Sequence, residues 1–172
     1  VGVYSFGRGL FNRDLICNGN TSYKYFYKLS KEHIVMSQLF GWEGALAISS
    51  QEFDGKYVSP QFPTFLADER SLDRRFLGWY MRQPKFWEEL GSRAKGIGDR
   101  RRTLNPIALF QCQIPLPPLT EQQRIVAKIE RLAGKIEEIQ NLQKDIQYNS
   151  INSLVAMAHR TDLPDAEKRK LG

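Results

Sequence analysis

The chain has 172 residues, 41% of them hydrophobic and 12% aromatic, enough to build a packed core in one or two domains. No apolar run approaches the roughly 20 residues that cross a bilayer. The first residues lack the layout of a secretory signal, and the formal net charge is +6.

The excess charge is uneven. Residues 1–102 carry 16 Lys and Arg against 11 Asp and Glu, and residues 103–172 carry 9 against 8. A basic surface attracts polyanions, of which DNA and RNA are the usual ones. Cys17 and Cys112 lie too far apart to suggest a disulfide framework or a metal site, and they read as two reduced thiols of a cytoplasmic protein. Two isolated histidines, His33 and His159, add no metal-ligand spacing. Opening on Val1 rather than Met, the chain reads as a piece of a longer gene product or as a processed one.

In chain order, residues 23–29 (YKYFYKL) read as a strand, with Tyr23, Tyr25 and Tyr27 on one face and Lys24 and Lys28 on the other. One face in the core and one in solvent is the ordinary reading; a lysine face against phosphates is the functional one. Residues 33–37, 45–49, 56–58 and 61–66 are further short strands, with an Asp54-Gly55 turn between two of them. The period then changes. Leu72, Arg75, Phe76, Trp79 and Tyr80 recur at helical spacing, and Pro84 opens a second short helix that buries Phe86, Trp87 and Leu90 and ends at Gly91. Asn105-Pro106 reads as another helix start. A mixed sheet with two or three helices against it, an α+β unit, accounts for residues 1–119.

Residues 91–102 hold Arg93, Lys95, Arg100, Arg101 and Arg102, punctuated by Gly91, Gly96 and Gly98. Glycines allow close backbone approach, and arginines neutralise phosphates or read guanine through two hydrogen bonds. The alternative is a solvated loop that only aids solubility.

Three prolines make residues 114–119 (IPLPPL) a stiff, non-helical connector. Thr120 is a natural N-cap with Gln123 at the capping-box position, and Glu121 suits the first turn. One long helix is predicted over 120–158, with a polar linker over 159–172. Ile125, Ile129, Leu132, Ile136 and Ile139 are spaced 4, 3, 4 and 3, a coiled-coil seam that Leu142 and Ile146 continue after a register shift. Gln143 and Ser150 either set pairing register or mark a local offset.

The motifs of catalysis are missing. Residues 91–98 (GSRAKGIG) have two P-loop glycines, but Ile97 and Gly98 stand where that motif needs lysine and a hydroxyl. Asn105-Pro-Ile-Ala lacks the second proline and the aromatic of an amino-methyltransferase loop. Asp54, Asp68 and Glu69 form no nuclease pattern, and two histidines support no nucleophilic triad. The chain reads as a non-enzyme.

Residues 114–132 (IPLPPLTEQQRIVAKIERL) resemble the end of a target-recognition domain and the start of the spacer helix in the specificity subunits of type I restriction-modification enzymes. Residues 7–13 (GRGLFNR) and 37–65 (SQLFGWEGALAISSQEFDGKYVSPQFPTF) are similar to that family as well, and residues 156–172 resemble the connector between its two halves. The resemblance implies a double-stranded DNA reader with two recognition domains separated by paired antiparallel helices. It implies partners that carry the chemistry: modification subunits using S-adenosylmethionine and a motor-nuclease subunit using ATP and Mg, with no cofactor on this chain. One recognition domain and one helix make about half of such a subunit, which two copies could complete as a homodimer. The expected DNA contacts are Arg93, Lys95, Arg100, Arg101 and Arg102, with Arg8 and Lys24 as further candidates. The expected pairing surface is Ile125, Ile129, Leu132, Ile136, Ile139, Leu142 and Ile146. Two other readings remain open: the recognition portion of a fused restriction-methylation enzyme, and a helical assembly module without DNA affinity.

Overall fold

A computed structural model describes residues 1–17, 21–95 and 102–161, with the side chains of 159–161 excepted. The chain forms two compact units, Val1–Val126 and Ala127–Gly172. The predicted polar linker lies, from residue 162 onward, outside the described residues.

The first unit is organised by one strand. Strand β4 (Ile34–Met36) pairs antiparallel with β5 (Leu46–Ile48) on one side and β7 (Thr64–Phe65) on the other. Successive side chains of a strand point to opposite faces. Ile34 and Met36 therefore join one apolar cluster and Val35 another, and all three are buried. A strand buried on both faces must be apolar throughout, which is why residues 34–36 read Ile-Val-Met without alternation.

On the Ile34 and Met36 face sit three short helices: α1 (Arg74–Tyr80), α2 (Pro84–Arg93) and α3 (Pro106–Phe110). They contribute Leu77, Phe86, Leu90 and Ala108 to the cluster. On the Val35 face lie two small antiparallel pairs, β1 (Gly2–Val3) with β2 (Leu10–Phe11), and β3 (Tyr27–Lys28) with β6 (Tyr57–Val58). Val3, Leu29, Phe53 and Val58 close the core there. The class is α+β as expected. Every strand pair among the described residues is antiparallel, and the strands form three small sheets instead of one mixed sheet.

The predicted strand over 23–29 is reduced to Tyr27–Lys28. Tyr23, Tyr25 and Tyr27 are all exposed, and of this segment only Leu29, at its end, is buried in the core. Its pairing with β6 is two residues long, and beyond it only Leu29 is tied, its N–H donating to Lys56 O (2.7 Å) and its carbonyl accepting from Gly55 N (2.9 Å). Helix α2 continues past Gly91 to Arg93, its last turn tied by an Arg93–Glu89 ion pair four residues apart. Asp73 caps α1, accepting from the N–H groups of Arg75 (2.8 Å) and Phe76 (3.4 Å). Burial opposes ionisation of Asp73, but those bonds and the Arg75 guanidinium outweigh it and hold the carboxyl below its ordinary value.

Helix α4 (Leu119–Thr161) has 43 residues, about 65 Å at 1.5 Å per residue. It begins on the Pro118 carbonyl, which accepts from Glu121 N and Gln122 N (2.8 and 3.1 Å), so Thr120 lies in the first turn and is not the cap. The buried polar group at this end is Gln122, not Gln123. Fully enclosed, its amide nitrogen donates to the carbonyls of Ser71 and Pro117 (both 2.8 Å), and its oxygen accepts from Asp73 N (2.8 Å). One carboxamide thus joins the proline connector, the start of α4 and the N-terminus of α1.

Replacing Gln122 with Leu keeps the volume and strands one donor and two acceptors. The expected loss is about 1–3 kcal/mol of unfolding free energy. A urea midpoint equal to that of the unchanged protein would refute this account of the joint.

A candidate nucleic-acid interface

Strand β4 runs into a tight 3₁₀ turn, Gly41–Glu43, before β5 begins. The turn is fixed from several directions. Gly41 N donates to Ser37 O (2.7 Å), and Leu104 N donates to Gln38 O (2.7 Å). Gly44 follows at φ 78°, and a Cβ there would meet the Trp87 indole at 2.5 Å, so only glycine fits. The N-terminal loop docks on the same turn: Phe6 N donates to Glu43 O (2.8 Å), Gly7 N to Gly44 O (3.0 Å) and the Ser5 hydroxyl to the Glu43 carboxylate (3.1 Å).

Three arginines collect around this junction, each lying over an aromatic ring. The Arg8 guanidinium is 4.9 Å from the Tyr4 ring centre and donates to Ser5 O (3.1 Å). Arg82 lies 4.5 Å above Trp79, and its Cγ would be 2.9 Å from a Cβ placed on Gly7, so it rests directly against the N-terminal loop. Arg102 lies 5.3 Å from the ring of Trp42, within the turn itself.

Other arginines are neutralised locally. Arg70 pairs with Asp68, Arg74 with Glu32 and Glu69, Arg75 with Asp73, Arg93 with Glu89 and Arg124 with Glu121. Among the described residues no carboxylate pairs with Arg8, Arg82 or Arg102. Stacking on a ring orients a guanidinium and leaves its N–H edges free for a planar acceptor or a phosphate.

The basic segment expected at 93–102 is divided by the structure. Lys95 and Thr103 exchange backbone hydrogen bonds (3.0 and 2.9 Å) and close its base. Arg93 faces Glu89 (3.1 Å), with its Nε buried. Arg102 emerges beside Trp42. Arg100 and Arg101 lie outside the described residues. Arg8 belongs to the N-terminal loop that docks on the Gly41–Glu43 turn, and Arg102 lies over Trp42 of that turn; Lys24 lies in the exposed segment before β3. Arg82 was missed in the sequence. Helical spacing to Trp79 was visible, but the approach of Gly7 was not.

On α4, Ile125 and Ile129 are half-buried, while Leu132, Ile136, Ile139, Leu142 and Ile146 are exposed. Ile151, Leu154 and Met157 extend the exposed apolar surface. Among the described residues no helix is long and apolar enough to cross a membrane, and no group of three His, Cys, Asp or Glu side chains is placed to hold a metal.

The fold is that of the HsdS subunit. The crystal structure of the HsdS subunit from Thermoanaerobacter tengcongensis matches with a TM-score of 0.70 and 21% identity, over 95% of this chain and 43% of that one. A second match comes from a structure describing complex assembly and conformational transition of the type I R-M system, with a TM-score of 0.63 and 23% identity, over 86% of this chain and 39% of that one. The chain thus spans less than half the length of either. No protein-family model matches it, and no curated protein matches it in sequence.

The placement of Arg93 can be read through Cys112. Burial pushes the Cys112 thiol up to about 11, with the Glu89 carboxylate adding to the rise and Arg93 opposing it. At about pH 8 only on the order of one Cys112 in a thousand is thiolate. A thiol reagent should therefore label exposed Cys17 quickly and Cys112 orders of magnitude more slowly. Equal rates would show that the end of α2 is not packed as described.

Proposed function

We propose that this chain reads one half of a split duplex DNA site, as the specificity subunit, or half of that subunit, of a type I restriction-modification complex. The observation that carries the reading is the set of three ring-stacked arginines, without carboxylate partners among the described residues, on one turn and the loop that docks on it. Its likeness in fold to the HsdS subunit supports the assignment of the polyanion as DNA.

In this reading Arg8, Arg82 and Arg102 hold the DNA backbone or guanine edges, with Lys95, Arg100, Arg101 and Lys24 as further contacts. Arg93 acts indirectly, by tying the last turn of α2 to Glu89. The chain performs no catalysis and binds no cofactor. S-adenosylmethionine chemistry belongs to modification subunits, and ATP with Mg to a motor-nuclease subunit, all in the cytoplasm. The exposed stripe Leu132, Ile136, Ile139, Leu142 and Ile146 is continuous with Ile125 and Ile129 along α4, and a helix with such a stripe needs a partner helix to cover it. That partner is the second half of the subunit or another copy of this chain. The domain division proposed is recognition over 1–119, spacer helix over 120–158 and linker over 159–172.

The same stripe favours one rival, a helical assembly module whose globular part has no DNA affinity. DNA binding separates the two. The full chain, titrated into a labelled pool of short duplexes by fluorescence anisotropy, should lose affinity steeply as salt rises. Arg82→Gln and Arg102→Gln should each reduce the slope of log K against log salt by about one. Absence of salt-dependent binding would leave the assembly module as the surviving reading.

Light scattering tests the stripe by itself. A dimer is expected, and Ile129→Asp with Ile136→Asp should convert it to a folded monomer. A dimer that withstands both charges would place the pairing surface elsewhere.

A further inference from the structure

Phe6 is held in an unusual way. Its φ is +63°, in the left-handed region that a bulky residue rarely adopts. The residue is 57% exposed although it is aromatic. Two backbone hydrogen bonds, Phe6 N to Glu43 O and Gly7 N to Gly44 O, hold the loop in this conformation against its intrinsic preference. One edge of the ring meets Trp87, at 5.9 Å between centres and 63° between planes. Packing therefore braces the ring without burying it.

The neighbours define what such a ring could meet. Arg8 follows two residues later, stacked on Tyr4. Arg82 lies against Gly7, the residue next to Phe6. Arg102 is stacked on Trp42, immediately before the Glu43 that receives the Phe6 N–H. An apolar flat surface near guanidiniums that have no carboxylate partner among the described residues is complementary to a ligand with anionic edges and flat apolar interiors. Duplex DNA has both, phosphates outside and stacked bases inside. Proteins that deform DNA place apolar side chains as wedges at a base step while cations hold the flanking backbone.

We propose that Phe6 is such a wedge: braced by Trp87 and flanked by Arg8, Arg82 and Arg102, it packs into a base step of the bound duplex and partly unstacks it. The proposal rests on the DNA-reading function above and adds a residue that acts through shape and stacking and not through charge.

The test uses the full chain and two labelled duplex pools, one fully paired and one with a single unpaired base at its centre. A wedge pays less to open a step that is already weakened, so the unchanged protein should bind the second pool more tightly. Phe6→Gly removes the ring and relieves the left-handed strain, so the thermal midpoint should hold or rise. The same change should weaken binding to the paired pool about tenfold and abolish the preference for the unpaired base, with the salt slope unchanged. Phe6→Tyr should retain affinity and preference.

If the unchanged protein binds DNA and Phe6→Gly binds each pool as tightly as the unchanged protein does, the wedge is overturned and the DNA-reading function stands. A fall in thermal midpoint, with DNA affinity intact, would make Phe6 a packing residue only. If the unchanged protein binds neither pool, the DNA-reading function itself fails, and the wedge with it.

Discussion

A single buried carboxamide fixes how the first unit ends. Gln122 has no contact with water, so its oxygen and its two N–H groups must find partners inside the protein, and all three do. Those partners come from the proline connector and from the entry to α1. An unpaired amide in that position would cost more than a typical hydrogen bond returns, so the three segments are held to one arrangement. Val126, one turn further along α4, is fully buried and adds an apolar contact to the same joint.

The arginine-bearing turn depends on a different constraint, the double burial of β4. Because Ile34 and Met36 face the helices and Val35 faces the small sheets, the strand cannot tilt or slip without exposing apolar side chains on one face or the other. The Gly41–Glu43 turn lies between β4 and β5, so it inherits that rigidity. The N-terminal loop, Trp87 and Trp42 are all anchored within three residues of it. Stacked arginines add little stability at exposed sites, on the order of 0.5–1 kcal/mol each. Their value is orientation: side chains that would otherwise sample many rotamers are held near one direction, so less conformational freedom is lost on binding.

The two exposed surfaces have different chemistry. Around the turn, free guanidiniums and a braced aromatic ring suit a polyanion with flat apolar interiors. Along α4, Leu132, Ile136, Ile139, Leu142 and Ile146 are exposed aliphatic residues that repeat at three and four, which suits a second helix. The proposed reading of a split site requires both kinds of contact: one surface to recognise a half-site, and one to set a fixed separation from its counterpart.

Much of this was written locally. Pro84 and Pro106 mark the first residues of α2 and α3, three prolines keep the connector out of helix, and the 4, 3, 4, 3 spacing along α4 is legible without a structure. These features depend on short-range sterics and periodicity, so the sequence alone determines them. The resemblance of residues 114–132 to type I specificity subunits is likewise a property of the sequence alone. Residues 23–29 misled, because alternation describes a strand only where a partner strand pairs with it, and β6 supplies two residues. The basic segment misled in part, because a run of cations does not show which are neutralised: Arg93 faces Glu89, while Arg102 is left free on Trp42. Gln122, Arg82 and Phe6 were not legible at all. Each owes its role to groups distant in the chain, Ser71 and Asp73 for the first, Gly7 for the second, Glu43 and Trp87 for the third. Burial, ion pairing and backbone strain are set by what long-range packing brings together, and only the tertiary structure decides that.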